Sequence, residues 1–231
     1  ISILTPPQSH AQIAIEALKK DVNVLVEKPM TMNAHDATSI LGAMKNSTAK
    51  LTVAYHELFS RIMQEALTLV RRGEIGKLLG TSVSFLAAPA DDDMSSNPHH
   101  WCHSILGGRF GEMLPHPIYL SQAFLGNELH IDRAVCSKRG QRPWMSNDEL
   151  QILLHGDGGT GHVYVSFNAA RTLESLDIYG TERILRLDMT DQISVSLGHR
   201  THSRMSSAGN ILGLAAKLCT GATRNAFQYY R

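Results

Sequence analysis

The chain has 231 residues, 43% of them hydrophobic and 19% charged, with a formal net charge of +1. That balance suits a globular protein with a substantial core, arranged as one large domain or two smaller ones. It lacks the basic block of a nucleic-acid binder, and no segment reaches the roughly 18 unbroken apolar residues of a membrane span, so a small partner is expected, with neither nucleic acid nor membrane.

The opening Ile1-Ser2-Ile3-Leu4-Thr5 reads as a strand already under way, without an initiator methionine or a signal-peptide pattern. A fragment is therefore expected, whose missing part supplies the first strands of the same sheet. Thr5-Pro6-Pro7-Gln8-Ser9 is a turn and cap cluster, followed by a helix over 10–20 with Ile13, Ala14, Ala17 and Leu18 on one face. Residues 22–26 form the next strand, Asn33 caps a helix over 34–45, and 51–54 form a third strand. Strands and helices alternating through short connections predict a parallel, doubly wound sheet. An amphipathic helix over 59–72 turns Ile62, Ala66, Leu69 and Val70 inward and stops at Arg71-Arg72-Gly73.

Beyond a boundary near 73–78 the pattern changes. Segments 79–86, 131–137, 149–155, 161–167, 175–179, 184–188 and 193–197 read as strands, linked in part by the hairpin signals Gly156-Asp157-Gly158-Gly159 and Gly180-Thr181-Glu182. They predict an antiparallel sheet of about six strands, interrupted by a helix over 115–124, and the tail has a helical stretch over 211–218. The expected domains are 1–76 and 77–231. Cys102, Cys136 and Cys219 are too scattered for a disulfide framework and suit a reducing compartment, the cytoplasm by default.

Chemistry-bearing residues stand at two places. Val24-Leu25-Val26-Glu27-Lys28-Pro29 ends a buried strand abruptly in an acid, an amine and a proline, and the carboxyl ends of parallel strands are where open α/β sheets bind ligands. In the glycine-rich run from Gly107 to Leu120, Pro115 and Pro117 place a helix start beside His116. A positive dipole end there favours a neutral ring able to accept a proton, and Glu112, four residues earlier, is placed to bond the ring or a substrate hydroxyl. Each residue also has a plainer reading. A lone histidine at a helix start is often a cap, and a strand-end lysine often simply reaches solvent. Arg109 is suited to a phosphate or acidic substrate, with a surface ion pair as the plainer alternative. His99-His100-Trp101-Cys102-His103 lacks the paired spacing of zinc motifs, and Asp91-Asp92-Asp93 reads as a solvated loop.

Thr5-Pro6-Pro7 with His10, the triplet Glu27-Lys28-Pro29 before a helix, Val53-Ala54-Tyr55-His56, Arg72-Gly73-Glu74-Ile75-Gly76 and the glycine-rich lead into Glu112 and His116 together resemble the glucose-fructose oxidoreductase and inositol dehydrogenase (Gfo/Idh/MocA) family. Any one motif is weak, but five in this order are specific. The resemblance implies a partial Rossmann, doubly wound parallel sheet, followed by an α+β domain with a large, mainly antiparallel open sheet. It implies an enzyme using NAD or NADP to move a hydride to or from a secondary alcohol or ketone of a sugar, cyclitol or nucleotide sugar. By position, Lys28 resembles the lysine that holds the reacting hydroxyl and His116 the histidine that takes its proton. Thr5, Pro6, His10, Glu27 and Pro29 resemble positions around the nicotinamide and its ribose. Trp101 resembles part of an active-site loop over nicotinamide or substrate. Tyr55, Arg109, Glu112 and Tyr119 join Lys28 and His116 as expected substrate contacts.

Glu112 stands where the family more often has aspartate, and Tyr119 where many relatives carry aspartate or asparagine. These changes motivate an alternative, a non-catalytic sugar-binding or assembly relative. A weaker one is a hydratase or hydrolase that recycles its nicotinamide. The glycine-rich phosphate loop Gly-x-Gly-x-x-Gly that should follow the first strand is read as absent from the chain, as is the residue after the second strand that would choose NAD or NADP, so the fragment alone is expected to bind the dinucleotide poorly and to be inactive. One face of the second sheet must cover Val163, Val165 and Phe167, and few helices are left for the other, so a homo-oligomer through the open sheet is expected.

Overall fold

The computed structural model describes residues 1–198, 212–213, 215–216, 218–221 and 223. They divide into two compact units, one of Ile1–His56 with His99–His116, the other of Glu57–Pro98 with the described residues from Pro117 onward. This division interleaves the chain, whereas the sequence suggested a single cut near residue 76. The helix after His56 belongs with the second sheet, and the loop from His99 to His116 belongs with the first.

The first unit is a parallel sheet of β1 (Ser2–Ile3), β2 (Val24–Val26) and β3 (Leu51–Val53), in register Ile3↔Val26↔Val53. Helices α1 (His10–Leu18) and α2 (Ala34–Lys45) connect the strands and touch one another. Ala14, Leu18 and Ile40 on the helices meet Ile3, Val24 and Val26 in one core. Leu25 points to the opposite face and is 39% exposed. The apolar run of β2 is therefore read by alternate residues, one face covered and one bare. Asn33 caps α2 as expected, its side-chain oxygen accepting from Asp36 N at 2.9 Å.

In the second unit, α3 (Arg61–Arg71) buries Ile62, Met63 and Ala66. It ends at Gly73, whose φ of +70° is left-handed. There Gly73 N donates to Val70 O and Glu74 N to Leu69 O, each at 3.0 Å, which satisfies the last carbonyls. The sheet is built from β4 (Leu78–Leu86), β5 (His130–Ser137), β6 (Glu149–Gly156), β7 (Gly159–Ser166), β8 (Leu173–Gly180), β9 (Ile184–Asp188) and β10 (Ile193–Leu197). Their order is β10-β9-β8-β4-β7-β6-β5.

The expectation of about six antiparallel strands is corrected, among the described residues, to seven strands in a mixed sheet, because β4 pairs in parallel with β7, Val83 opposite Val163. Alternation along β4 marks it as a strand but carries no information about its neighbours, and here it enters mid-sheet with Val83 and Phe85 buried. The run from Gly156 to Gly161 has phosphate-turn spacing. It is instead the β6–β7 hairpin, with Gly156 opposite Gly159.

The three acidic residues 91–93 are also more ordered than a solvated loop. Asp92 is buried and caps α4 (Asp93–Ser96), accepting from Ser95 N at 3.1 Å. Helix α6 (Pro115–Leu125) fills the place expected over 115–124. Of the tail stretch 211–218, residues 212, 213, 215, 216 and 218 are helical, while Ile211, Leu214 and Lys217 lie outside the described residues. Among the described residues no helix is long and apolar enough to cross a membrane.

Asp148 fastens the loop between β5 and β6. Its side chain is fully buried, accepting from Arg139 N at 2.6 Å and Gly140 N at 2.8 Å and pairing with Lys138 Nζ at 2.9 Å. Burial pushes this carboxyl up, but hydrogen bonds from Arg139 N, Lys138, Gly140 N and Asn168 outweigh it and hold the group below its ordinary 3.8. A depressed carboxyl stabilises the fold above its unfolded value, and that stability is lost as pH falls through the folded one. Urea unfolding should therefore show a midpoint that drops below about pH 4. Asp148→Asn should lower the neutral midpoint and flatten the acid drop.

Candidate active site

The site residues of the first unit follow from strand direction. Three parallel strands deliver three loops at their carboxyl ends, 4–9 after β1, 27–30 after β2 and 54–56 after β3. His10 ties the first two together. It is fully buried at the start of α1, with Nε2 2.7 Å from Thr5 O and Nδ1 2.9 Å from Pro29 O. Its ring nitrogens both meet main-chain oxygens, so His10 refers the two loops to one buried ring. Thr5 Oγ1 and Ser9 Oγ are 2.7 Å apart, and Thr5 and Pro6 stay exposed as a turn. Glu27 folds back so that Oε2 accepts from Lys28 N at 3.2 Å.

Lys28, at 14% side-chain exposure, does not simply reach solvent. Its ammonium donates to Glu112 Oε1 and, at 3.4 Å, to the main-chain oxygen of Glu112. The other carboxylate oxygen, Oε2, accepts from Arg109 Nη1. Arg109 and Glu112 are 7% and 6% exposed. The carboxylate expected on the His116 ring or a substrate hydroxyl is engaged by two cations, one at each oxygen. The guanidinium expected at a substrate, or in a surface pair, is in a buried ion pair.

The element that makes this possible is a short helix that the sequence pattern does not announce. Gly107 and Gly108 both have positive φ, and between them they start a short helix, α5 (Gly108–Met113). Its i and i+3 positions carry Arg109 and Glu112. Gly111 lies so close to the preceding turn that an added Cβ would stand 2.1 Å from Leu106 O. The only earlier signal was the glycine spacing itself, which reads equally well as a loop.

His116 is buried at 7% exposure, in the first turn of α6. Only Leu114 separates α6 from the carboxyl end of α5, and Leu114 N still bonds to Phe110 O at 2.8 Å. The amino end of α6 is thus no free terminus, and the dipole argument for a neutral His116 loses its basis. A second imidazole, overlooked in the sequence, stands against it. The exposed His56 meets His116 edge-on, ring centres 5.8 Å apart and planes at 81°. Tyr55 is half-buried, and burial pushes its phenol up. Trp101 is 40% exposed on a single 3-10 turn, tilted against His100 at 5.4 Å. Tyr119 lies in the second unit and is 4% exposed.

Breaking the charge cluster at its centre should be the costliest change. Glu112→Gln leaves the buried Arg109 guanidinium and the half-buried Lys28 ammonium without their anion and is expected to cost about 3–5 kcal/mol in urea unfolding. Lys28→Met leaves the Arg109–Glu112 pair intact and should cost distinctly less.

Residues 1–55 match the family model described as "Oxidoreductase family, NAD-binding Rossmann fold", and residues 63–186 match the one described as "GFO/IDH/MocA C-terminal domain". Among curated proteins the chain is 28% identical over 142 residues to "Oxidoreductase P35" of Formosa agariphila, covering 60% of this chain and 44% of that protein. It is 25% identical over 168 residues to levoglucosan dehydrogenase of Pseudarthrobacter phenanthrenivorans, covering 71% and 43%. The chain thus spans under half the length of these relatives. A solved levoglucosan dehydrogenase in complex with NADH and levoglucosan superposes with a TM-score of 0.75 at 23% identity, covering 88% of this chain and 58% of that one, which shows a common fold. Two family models, in order and together covering most of the chain, place it in the Gfo/Idh/MocA oxidoreductase family, with the first unit built on that family's NAD-binding fold.

Proposed function

We propose that the full-length protein carrying this chain is an NAD(P)-dependent oxidoreductase that interconverts a secondary alcohol and a ketone on a sugar, cyclitol or nucleotide sugar. The observation that carries the reading is the Lys28 ammonium, held by Glu112 just past the carboxyl end of β2, in the same compact unit as the buried His116. Carboxyl ends of parallel strands are where open α/β sheets take their ligands. The similarity to a levoglucosan dehydrogenase supports the carbohydrate class.

The residues present fit the nicotinamide end of the cofactor. Thr5 and Pro6 are exposed at the end of β1, Glu27, Lys28 and Pro29 are half-buried at the end of β2, and His10 holds both loops in place. Among the described residues no glycine-rich turn joins a parallel strand to a helix, so these residues would hold that end only. When bound, the nicotinamide supplies a hydride acceptor or donor. Lys28 donates a hydrogen bond to the reacting oxygen and stabilises the negative charge that develops on it. His116 takes the hydroxyl proton during oxidation and returns it during reduction. Glu112 keeps the ammonium in place, and Trp101, exposed on its turn, is suited to cover the reacting pair.

The exposed thiols of Cys136 and Cys219 suit the cytoplasm. The half of the open sheet around β5 and β6 leaves Val135 at 48% and Leu153 at 49% exposure, which suits a second copy of the chain as partner. Sedimentation is expected to give a dimer or larger assembly, and a monomer at micromolar concentration would count against pairing.

Activity is tested on the full-length protein with pyranoses, anhydro-sugars, cyclitols and nucleotide sugars, following nicotinamide absorbance with NAD and NADP. At least one class should turn over. Lys28→Met and His116→Gln should each lower kcat about 10²–10⁴-fold with the circular dichroism spectrum retained. Turnover near the unsubstituted level in either variant would remove that residue from the mechanism.

A further inference from the structure

Arg109 has a place in the cluster that hydride chemistry leaves unexplained. It is buried, lies one helical turn before Glu112 on α5, and donates to Glu112 Oε2 while Lys28 donates to Oε1. A carboxylate tied at one oxygen only can still swing about its last side-chain bond, whose torsional wells are broad. Tied at both oxygens, it is fixed in plane and in direction. Arginine suits this task because its planar fork is pre-organised, whereas a lysine in the same place would act as a point charge on a flexible stem.

The length of Glu112 fits the arrangement. Its carboxylate reaches Lys28 with one oxygen and Arg109, three residues back on its own helix, with the other. Of the three donors on the Lys28 ammonium, one goes to Oε1 and one, at 3.4 Å, to the main-chain oxygen of Glu112. Among the described residues no third acceptor is present, so one N–H stays available to a ligand oxygen.

We propose that Arg109 is a positioning residue that acts through Glu112: it pins one carboxylate oxygen so that the other, with the main-chain oxygen, holds the Lys28 ammonium in a single orientation. The inference rests on the function proposed above only for what Lys28 then does to substrate. It replaces the direct substrate contact expected of Arg109 from sequence.

The test reads the ammonium itself and needs no substrate. In nitrogen-15 spectra of lysine side chains, an ammonium is seen only when burial and hydrogen bonding slow its exchange with water. The full-length protein should show such a signal, assigned by its loss in Lys28→Met. Arg109→Gln should abolish it while thermal unfolding stays cooperative, and Arg109→Lys should keep it with roughly tenfold faster exchange. Should Arg109→Gln fail to fold, Arg109→Lys decides the matter alone. A Lys28 signal unchanged in the folded Gln variant, or an unchanged exchange rate in the Lys variant, overturns the proposal, as does a protein with no Lys28 signal. A catalytically dispensable Lys28 would instead remove the proposed function and leave the spectroscopic result standing.

Discussion

Glu112 has to remain an anion out of water between two cations, and the first unit's offer to a ligand depends on that. Taking charged groups from water costs several kcal/mol each, which their mutual attraction offsets only when geometry is good and the remaining donors and acceptors are met. Here both carboxylate oxygens and the main-chain oxygen of one residue are engaged by Lys28 and Arg109. The contact also joins positions 84 residues apart in the chain. It is therefore a local charge solution and one tie between the loop from His99 to His116 and the end of β2.

A second layer of constraint lies in the main chain. His10 sits between Thr5 O and Pro29 O, so the loops after β1 and β2 are referred to one buried ring. Lys28 lies next to Pro29 and is itself tied through its N–H to Glu27. The ammonium thus has its base fixed by backbone and its tip fixed by Glu112. Burying a lysine side chain forfeits rotamer entropy of about 1.5–2 kcal/mol. In this arrangement the loss is taken during folding, before a ligand arrives, which leaves less ordering for binding to accomplish.

Legibility in the sequence followed the range of the interactions. Local signals held: Asn33 capping α2, Gly73 ending α3, and strands alternating with helices through β3. Lys28 stood out because it follows a β-branched run at the carboxyl end of a parallel strand, where open α/β sheets bind ligands. What it bonds was beyond reach, since periodicity says nothing about a residue 84 positions away. The same limit hid the parallel pairing of β4 with β7, whose register of Val83 with Val163 crosses an insertion of helices and loops. Helix α5 was lost for another reason. Three glycines in its first turns carry poor helix propensity, yet two are required for positive φ and the third for close approach to Leu106 O. The family resemblance pointed to Glu112 and His116, but it carried no information on how this chain's longer carboxylate is used.

That longer carboxylate bears on how Glu112 and Arg109 must be considered together. An acid that only had to meet Lys28 would gain nothing from an extra methylene, which adds a torsion to be fixed on folding. The added reach becomes useful when a second cation is waiting on the same helix face, where i and i+3 side chains are neighbours. The guanidinium then offsets the freedom that the methylene introduced, and with Arg109 and Glu112 buried and Lys28 half-buried, each depends on the others. Substituting the shorter acid alone would strand Arg109, and removing Arg109 alone would loosen Glu112, so the two positions constrain each other more tightly than either constrains the fold.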